Sequence, residues 1–194
     1  MTTTPPTDAR SDQQLLEAWR SGDADAGAEL FERHWRSIAR FFTNKLGADC
    51  EDLVQQTFLA CVESHKNYRG ESSFRGFLFG IARNKLLHHL RAKGRYQKRF
   101  DPGSVSIAES VRSHTSIIAA DRKRAKLLLA MRQLPVDTQT MLELHYWEQL
   151  PVREIAKILE LTPEATRTRM FRGRRKLAEL LGDEKGDEAL TKLG

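Results

Sequence analysis

The chain has 194 residues, of which 30% are charged and 40% are hydrophobic, a balance typical of a helix-rich globular protein. We expect no membrane insertion and no signal peptide, because apolar runs stay short of the roughly 18 residues of a membrane helix and the first ten residues lack an apolar core. The 32 Lys and Arg exceed the 26 Asp and Glu, giving a net charge of +6 that favours an anionic partner.

Helical periodicity organises the first part of the chain. After a tail at residues 1–10, apolar spacing predicts helices over 12–20, 25–46, 50–65 and 73–93. Gly47 is expected to end the second helix and Asp49 to cap the third. On the fourth helix, one sector is expected to pack in the core: Phe74, Phe77, Leu78 and Ile81.

A second helical unit follows a break in the pattern. Residues 101–116 contain Pro, Gly and several Ser and are predicted to be an interdomain linker. Helices are then expected over 117–133, 137–146, 152–160 and from Pro163 onwards, with Gly182 ending the last and a tail at 182–194. The predicted fold class is all-α: two small helical domains, 11–100 and 117–181, joined by a flexible linker, the second a four-helix domain with a helix-turn-helix.

The last two helices of the second unit have the plan of a DNA-binding motif. A short amphipathic helix is followed by a tight break at Leu161 and Thr162 and by a helix that begins at Pro163. From 165 to 177 that helix carries six Lys or Arg and no acidic residue. A helix, a turn and a basic helix are the arrangement that lays a recognition helix in the DNA major groove.

A second basic segment lies in the first unit. Residues 72–100 hold eight Lys or Arg and no acidic residue, and without the two basic segments the rest of the chain has 18 basic and 26 acidic residues. Two basic patches on an acidic body predict two anion-binding faces. Along the fourth helix, Asn84, His88, Arg91 and Arg95 share one face, while Tyr68 and Arg69 before it can stack on an unpaired base.

The third helix has a different character. Its outer face carries acidic and amide groups, which disfavour DNA and suit a protein partner through charge complementarity. The residues concerned are Asp49, Glu51, Asp52, Gln55 and Gln56, beside Leu53 and Val54. An ordinary solvated face with an acidic helix N-terminus is the alternative interpretation.

Catalytic and metal chemistry have little support in the sequence. Cys50 and Cys61 are eleven residues apart on one predicted helix, roughly 16 Å of rise, which is too far for a disulfide and predicts a reduced, cytoplasmic protein. The adjacent His88 and His89 project about 100° apart and cannot easily share an ion. With no phosphate-binding glycine motif either, we expect a protein that is not an enzyme, without metal or cofactor.

Three segments in order resemble bacterial RNA polymerase sigma factors, specifically the extracytoplasmic-function group of the sigma-70 family. The segment "EDLVQQTFLA" is similar to the core-binding helix of region 2, and "FRGFLFGIARNKLLHHLRAKGR" to the part that opens and reads the −10 element. "LPVDTQTMLELHYWEQLPVREIAKILELTPEATRTRMFRGRRKL" resembles region 4. The resemblance covers roughly residues 12–181 and departs from the family at Phe77, where members usually have Trp.

The resemblance implies a role for each group of residues. Binding to the clamp of the largest polymerase subunit would involve Asp49, Asp52, Leu53, Gln55 and Gln56. Contacts to −10 DNA would come from Tyr68, Arg69, Phe74, Arg83, Asn84, His88, Arg91 and Arg95. Contacts to −35 DNA would come from Pro163, Ala165, Thr166, Arg167, Arg169, Arg172 and Arg175.

The implied function is transcription initiation: binding core RNA polymerase, directing it to promoters by their −10 and −35 elements, and promoting DNA melting. Core polymerase and promoter DNA are the expected partners, and an anti-sigma factor is a further candidate, since the family often uses one. The alternative is a free-standing helix-turn-helix regulator, which would read palindromic half-sites as a dimer. An RNA-binding adaptor would instead show aromatic sheet platforms or other RNA modules, and the sequence has none.

Overall fold

The computed structural model describes residues 10–48, 50–68, 70, 72–93 and 119–182, with only the backbone described for 119–123. Within these ranges the chain forms eight α-helices and no strand. The helices are α1 (Asp12–Arg20), α2 (Ala24–Leu46), α3 (Glu51–Ser64), α4 (Phe74–Ala92), α5 (Ala119–Arg132), α6 (Val136–Tyr146), α7 (Val152–Ile158) and α8 (Pro163–Leu181). The all-helical prediction is confirmed, and the predicted linker at 101–116 lies outside the described residues.

Local side-chain chemistry explains where several helices begin and end. Ser11 and Gln14 form a reciprocal capping box at the start of α1. Gly47 and Gly182 have positive φ angles at the ends of α2 and α8, as glycine permits without strain. The predicted cap of α3 is wrong by one residue: Cys50 holds the N-cap position and makes no side-chain capping bond.

The first unit, α1 to α4, surrounds a continuous apolar core. Its fully buried side chains include Leu30, Ile38, Phe42, Leu78 and Phe79. Aromatic rings meet edge to face across helices, as where Phe41 and Phe79 lie 5.6 Å apart between α2 and α4. The core thereby fixes α4 against α2 and leaves the opposite face of α4 toward the cavity described below.

The second unit, α5 to α8, contains a small core of its own and also extends the core of the first. Buried side chains of α5, α6 and α8 cluster around Leu127, Met131 and Leu177. Met141, Leu144 and further apolar residues of α6 and α7 belong instead to the cluster that contains the first unit's core. The two units therefore pack directly on one another in this conformation. None of the helices in the described ranges is apolar over enough residues to cross a bilayer.

Candidate nucleic-acid interface

A cavity of about 520 Å³ opens beside α4. Its wall is formed by the segment before the helix, by one face of α4 and by α7: Asn67, Tyr68, Ser72, Gly76, Phe77, Gly80, Ile81, Asn84, Lys157 and Ile158. The ring centroids of Tyr68 and Phe77 are 4.5 Å apart, and the Tyr68 hydroxyl donates to the carbonyl of Ser72. An aromatic pair next to an amide is a surface on which a flat, polar ring can stack and be hydrogen-bonded.

Helical spacing explains how these wall residues come together. Phe77, Ile81, Asn84 and His88 follow at intervals of four, three and four residues, so they share one face of α4. Of the four residues predicted to pack in the core, Phe74 and Leu78 are buried, while Phe77 and Ile81 are half-buried, pack against the same core and also line the cavity. The aromatic ring of Phe77 belongs to the candidate site.

The residues predicted to contact −10 DNA divide into three groups in the structure. Asn84, His88 and Arg91 are exposed on the cavity face of α4, and Tyr68 lines the cavity. Phe74 and Arg83 are buried. Arg69 and Arg95 lie outside the described residues.

Arg83 points away from the cavity face and into the contact between the two units. Its Nε and Nη2 atoms donate to the two carboxylate oxygens of Asp137 at 3.1 and 3.2 Å. Only 7% of the Arg83 side chain is exposed, so DNA cannot reach it in this conformation. The partner is 54 residues away along the chain, which is why the local sequence pattern gave no signal of the pairing.

The recognition helix α8 has the start that its sequence predicted. The hydroxyl of Thr162 accepts the N–H of Ala165 at 3.1 Å, and Pro163 occupies the first turn. Thr166 is fully buried, and its hydroxyl donates to the carbonyl of Thr162 at 2.9 Å. Of the residues predicted to contact −35 DNA, Thr166 therefore stabilises the start of the helix and is not on its surface.

The basic residues of α8 lie on two faces. Arg167 and Arg175 are exposed on the side opposite the core, with 59% and 77% of their side chains accessible. Arg169 and Arg172 instead line a cavity of about 340 Å³ against the start of α6, together with Lys176. Five cations on two faces of one helix can contact both walls of a groove.

Phe171 is a candidate that sequence reasoning missed. Its side chain is 60% exposed, in the middle of α8 and one turn from both Arg167 and Arg175. Its exposure among the cations of the basic helix makes Phe171 accessible to a partner of that surface. A helical wheel of α8 would have shown that Phe171 lies outside the buried face formed by Thr166, Gly173 and Leu177.

The candidate protein-binding face of α3 is partly as predicted. Asp52, Gln55 and Gln56 are exposed, Leu53 is buried, and Asp49 lies outside the described residues. The same face continues with Leu59 and Val62, which are 59% and 42% exposed. Trp35 of α2, 40% exposed, stacks on Phe58 of α3 with ring centroids 5.3 Å apart. The sequence analysis missed this apolar continuation.

The described part of the chain contains no disulfide and no group of side chains arranged to bind a metal ion. Both cysteines are buried and unpaired with each other, and burial raises the pKa of the Cys61 thiol to about 12. Among the described residues no group of three or more His, Cys, Asp or Glu side chains is arranged to hold a metal ion.

Comparison with known families decides the identity of the chain. Residues 28–96 match the model of sigma-70 region 2, and residues 124–177 match sigma-70 region 4. RNA polymerase sigma factor CarQ of Myxococcus xanthus is 34% identical over 87% of this chain and 96% of its own length. The chain belongs to the sigma-70 family, in its extracytoplasmic-function group.

Further relatives agree in sequence and in fold. The sigma factor is 29% identical to the ECF RNA polymerase sigma-E factor of Haemophilus influenzae, over 84% of this chain and 92% of that relative. A solved structure of CnrH with the cytosolic domain of CnrY has a TM-score of 0.65 at 23% identity, covering 88% of this chain and 97% of CnrH. RpoE of Bartonella quintana, solved with NepR, has a TM-score of 0.66 at 21% identity, covering 81% and 98%.

The function of the sigma factor follows from its family. It is a promoter-specific transcription initiation factor that binds core RNA polymerase and promoter DNA. Sigma factors are a non-enzymatic family of initiation factors. The alternative of a free-standing helix-turn-helix regulator is not favoured, because such a regulator has no use for a region 2 domain.

Proposed function

We propose that the first unit, residues 11–100, captures an unpaired base of the −10 element in the cavity beside α4. The observation that carries this proposal is the wall itself, where the Tyr68 and Phe77 rings lie 4.5 Å apart next to the exposed amide of Asn84. Stacking on aromatic rings is worth about 1–3 kcal/mol per base, enough to offset part of the cost of unstacking it from the duplex. His88 and Arg91, further along the same face, then contact the neighbouring backbone.

Promoter melting by the reconstituted holoenzyme tests this role. With 2-aminopurine placed at each −10 position in turn, one position should brighten as its base leaves the stack. Asn84→Ala and Tyr68→Leu should reduce that signal at least about tenfold, since each removes a wall contact of the captured base. Gln13→Ala, an exposed change on α1, is the matched control and should melt promoters like the wild type. Unchanged melting by both cavity variants would contradict the proposal.

In the second unit, residues 117–181, we assign −35 recognition to α8. Arg167, Arg169, Arg172 and Arg175 supply contacts to bases and phosphates, and Pro163 and Ala165 place the first turn at the groove. Phe171 contacts the 5-methyl group of a thymine, because an exposed apolar ring is suited to that group and to no other feature of the major-groove edge.

The thymine contact can be tested without changing the protein. Replacing each −35 thymine by deoxyuridine removes only the methyl group, and the wild type should lose affinity at one position. The Phe171→Ala variant should bind −35 DNA more weakly than the wild type. At the position where the wild type loses affinity, the variant should no longer distinguish thymine from deoxyuridine. A wild type that ignores every such replacement would exclude the contact.

For polymerase binding, we propose that the clamp contacts Asp52, Gln55 and Gln56 and that Leu59 and Val62 form the apolar part of the same interface. A polar rim around exposed apolar side chains is the usual composition of a protein interface. Asp49 keeps its proposed role as a clamp contact, and Leu53, which is buried, supports this face from the interior.

Several broader assignments accompany these roles. The protein works in the cytoplasm, where polymerase and promoter DNA are found, and carries out no catalytic step itself. An anti-sigma factor that prevents polymerase binding is a proposed further partner. Run-off transcription with purified core polymerase on genomic DNA fragments is the overall test: discrete transcripts that require this protein support the assignments, and their absence refutes them.

A further inference from the structure

The segment that leads from α3 to Tyr68 in the cavity wall is short. Residues His65–Asn67 form a single turn of 3-10 helix, and Tyr68 follows in extended backbone. The N–H of Tyr68 donates to the carbonyl of His65 at 3.3 Å, and His65 Nδ1 donates to the carbonyl of Val62 at 2.6 Å. One hydrogen-bonded turn does little to fix a chain by itself, because it orders several dihedral angles for one bond. The position of Tyr68 therefore depends on contacts from other elements.

Trp19, near the end of α1, makes one of these contacts. Its indole ring stacks on the imidazole of His65, with ring centroids 3.8 Å apart and planes within 8° of parallel. Phe31 of α2 meets the same indole edge to face, with centroids 5.4 Å apart. Aromatic pairs in these geometries stabilise one arrangement beyond the effect of the area that they bury. The stack therefore fixes the first residue of the turn against α1.

Arg20, the last residue of α1, contacts the next residue of the turn. Its Nη2 atom donates to the backbone carbonyl of Lys66 at 3.0 Å. Arg20 is exposed, so this hydrogen bond orders the turn without removing a charge from water. Two adjacent residues of α1 thus hold two adjacent residues of the turn, one through its ring and the other through its backbone.

The place of the Trp19 ring depends on Gly27, which is buried on α2. A Cβ atom at Gly27 would lie 2.7 Å from Nε1 of Trp19 and 2.8 Å from two carbons of the same five-membered ring, closer than real Cβ contacts come. The indole therefore lies directly against the glycine backbone. Any side chain at this position would displace the ring, and with it the stack on His65.

The helix α1 is itself held firmly on α2 at its other end. The Asp12 carboxylate accepts Arg33 Nη1 at 2.7 Å and His34 Nε2 at 2.6 Å. His34 is almost completely buried, so this end of α1 is fixed to the core of the first unit. Trp19 and Arg20 therefore extend from a rigid support and can transmit its position to the turn.

Tyr68 connects this turn to the cavity beside α4. Its ring lies 4.5 Å from that of Phe77, and its hydroxyl donates to the carbonyl of Ser72. These contacts hold the side chain of Tyr68 at α4, while α1 holds the backbone that precedes it at His65. With both sides fixed, the plane of the Tyr68 ring is set before a base arrives. Such pre-organisation raises affinity, because less conformational freedom is lost on binding.

We propose that Trp19 and Arg20 are positioning residues for base capture: acting through the turn, they hold the Tyr68 ring in the orientation on which the −10 base stacks. Neither is among the residues that line the cavity, so both act through Tyr68. The inference rests on the proposed −10 role of the first unit. Loss of either contact lowers the fraction of molecules whose Tyr68 is ready to stack, and the apparent affinity for the base falls by that fraction.

Hydrogen exchange of the Tyr68 amide in the free full-length protein, followed by NMR, tests the positioning directly. Trp19→Leu removes the stack and should speed this exchange about tenfold, whereas Trp19→Phe keeps a flat ring and should stay within about twofold of the wild type. Arg20→Ala, an exposed change, should speed the exchange about threefold. The amide of Ile38 in the core is the reference, because a general loss of stability would speed its exchange as well.

Base discrimination by the reconstituted holoenzyme is the functional readout. At the −10 position that brightens with 2-aminopurine, the natural base is replaced by each of the other three, and open-complex formation is compared among the four promoters. Trp19→Leu should reduce the preference for the natural base about tenfold, and Trp19→Phe should restore most of it. A general loss of folded protein or of phosphate contacts would weaken all four promoters alike. Gln13→Ala, also exposed on α1, is the control and should discriminate like the wild type.

A double variant separates the position of the ring from other effects of the substitutions. Gly27→Ala alone should reduce the preference for the natural base about as much as Trp19→Leu does, because the added methyl group displaces the indole. In Gly27→Ala with Trp19→Leu the methyl group meets no indole. The double variant should therefore discriminate no worse than Trp19→Leu alone. Additive losses would mean that Gly27 acts independently of the stack and would overturn this part of the inference.

The outcomes distinguish this inference from the proposed function. Tyr68 exchange that Trp19→Leu and Arg20→Ala leave unchanged, or that rises only in step with Ile38, would overturn the inference. So would a Trp19→Phe variant that discriminates as poorly as Trp19→Leu. Should Trp19→Leu fail to fold, by circular dichroism, Arg20→Ala carries the test. A wild-type holoenzyme in which no −10 position brightens would instead refute the proposed function, and the exchange rates would still decide whether α1 positions Tyr68.

Discussion

The interior of the first unit and the contact between the two units differ in the kinds of side chain that they bury. The interior joins α1 to α4 through buried aromatic and aliphatic side chains such as Phe42, Phe79 and Ile38. The contact contains apolar residues too, but it also buries the charged groups of Lys45, Glu143, Arg83 and Asp137. Apolar packing stabilises one arrangement strongly, whereas buried ion pairs fix a geometry with little net free energy.

This difference distinguishes the interior of the first unit, which has to keep its arrangement, from the contact between the units, which under the proposed function has to open. A sigma factor must keep α3 and α4 in register to present its polymerase-binding and −10 faces, and the aromatic core does that. Under the proposed function the two units bind two separate promoter elements, and charged groups in the contact would regain hydration if the units separated. Changes inside the first unit should therefore cost much more stability than balanced changes in the contact.

The largest effect is expected in the core. Phe42→Ala removes a fully buried ring of α2 and should lower the free energy of unfolding by about 3–5 kcal/mol. Urea denaturation followed by circular dichroism measures this loss. Phe171→Ala, which removes an exposed ring, is the matched control and should stay within about 0.5 kcal/mol of the wild type. An equal loss of unfolding free energy in Phe42→Ala and Phe171→Ala would show that the interior of the first unit is not the stabilising element.

Two substitutions, each removing one partner of the Arg40–Glu148 ion pair, test the contact between the two units. Arg40→Met leaves the Glu148 carboxylate buried at 6% exposure without its cation, and should cost about 2–3 kcal/mol. Glu148→Gln leaves Arg40, which is 31% exposed and can turn to water, and should cost only about 1 kcal/mol. The same denaturation experiment compares them. A larger loss from Glu148→Gln would mean that the arginine is the desolvated partner.

A smaller, pH-dependent effect is expected where α1 joins α2. Hydrogen bonds from His34 and Arg33 hold the pKa of Asp12 at about 2, below its usual 3.8. Because the folded-state pKa is lowered, this stabilisation is complete above about pH 4 and is lost as the pH falls toward 2. Asp12→Asn should cost about 1–2 kcal/mol at pH 7, allowing for partial solvent screening.

Acid titration of the same pair of proteins provides the check. The stability difference between wild type and Asp12→Asn should shrink steadily below pH 4. A difference that is constant across this range would mean that the carboxylate charge contributes nothing.

The smallest effect on stability should accompany the largest effect on assembly. Asp52→Arg changes an exposed residue of α3, so the free energy of unfolding should stay within about 0.5 kcal/mol. Binding to core polymerase, measured by gel filtration, should be abolished. Arg169→Ala on α8 should keep polymerase binding and weaken −35-dependent initiation. Retained transcription by Asp52→Arg would contradict the clamp assignment.

Local signals made the helices predictable. Ser11, Gly47, Pro163 and Gly182 each mark an end of a helix through capping, positive φ or the lack of an N–H group. These effects act within one turn of the chain, so the sequence carries them directly. The predicted bounds of α1 agree with the structure completely, and the four-helix second unit with its helix-turn-helix is confirmed.

Long-range packing was not predictable in the same way. Arg83 was predicted to contact −10 DNA, and nothing local to Lys45 or Glu143 indicated burial. Only partners 54 or 98 residues away make these side chains buried. Phe77 and Ile81 pack against the core as predicted, but their place in the cavity wall was not predicted, since an apolar residue suits both a core and a cavity wall. Hydrophobicity identifies a face that avoids water, but not the group that eventually covers it.

The carboxylates of Asp137 and Glu143 come late in the chain, and this order has a consequence during synthesis. Ribosomes make α2 and α4 first, so the side chains of Lys45 and Arg83 exist before the carboxylates at 137 and 143 that cover them. For that interval Lys45 and Arg83 have no carboxylate from the second unit to pair with. Both cations can therefore become buried as ion pairs only after α6 has been synthesised.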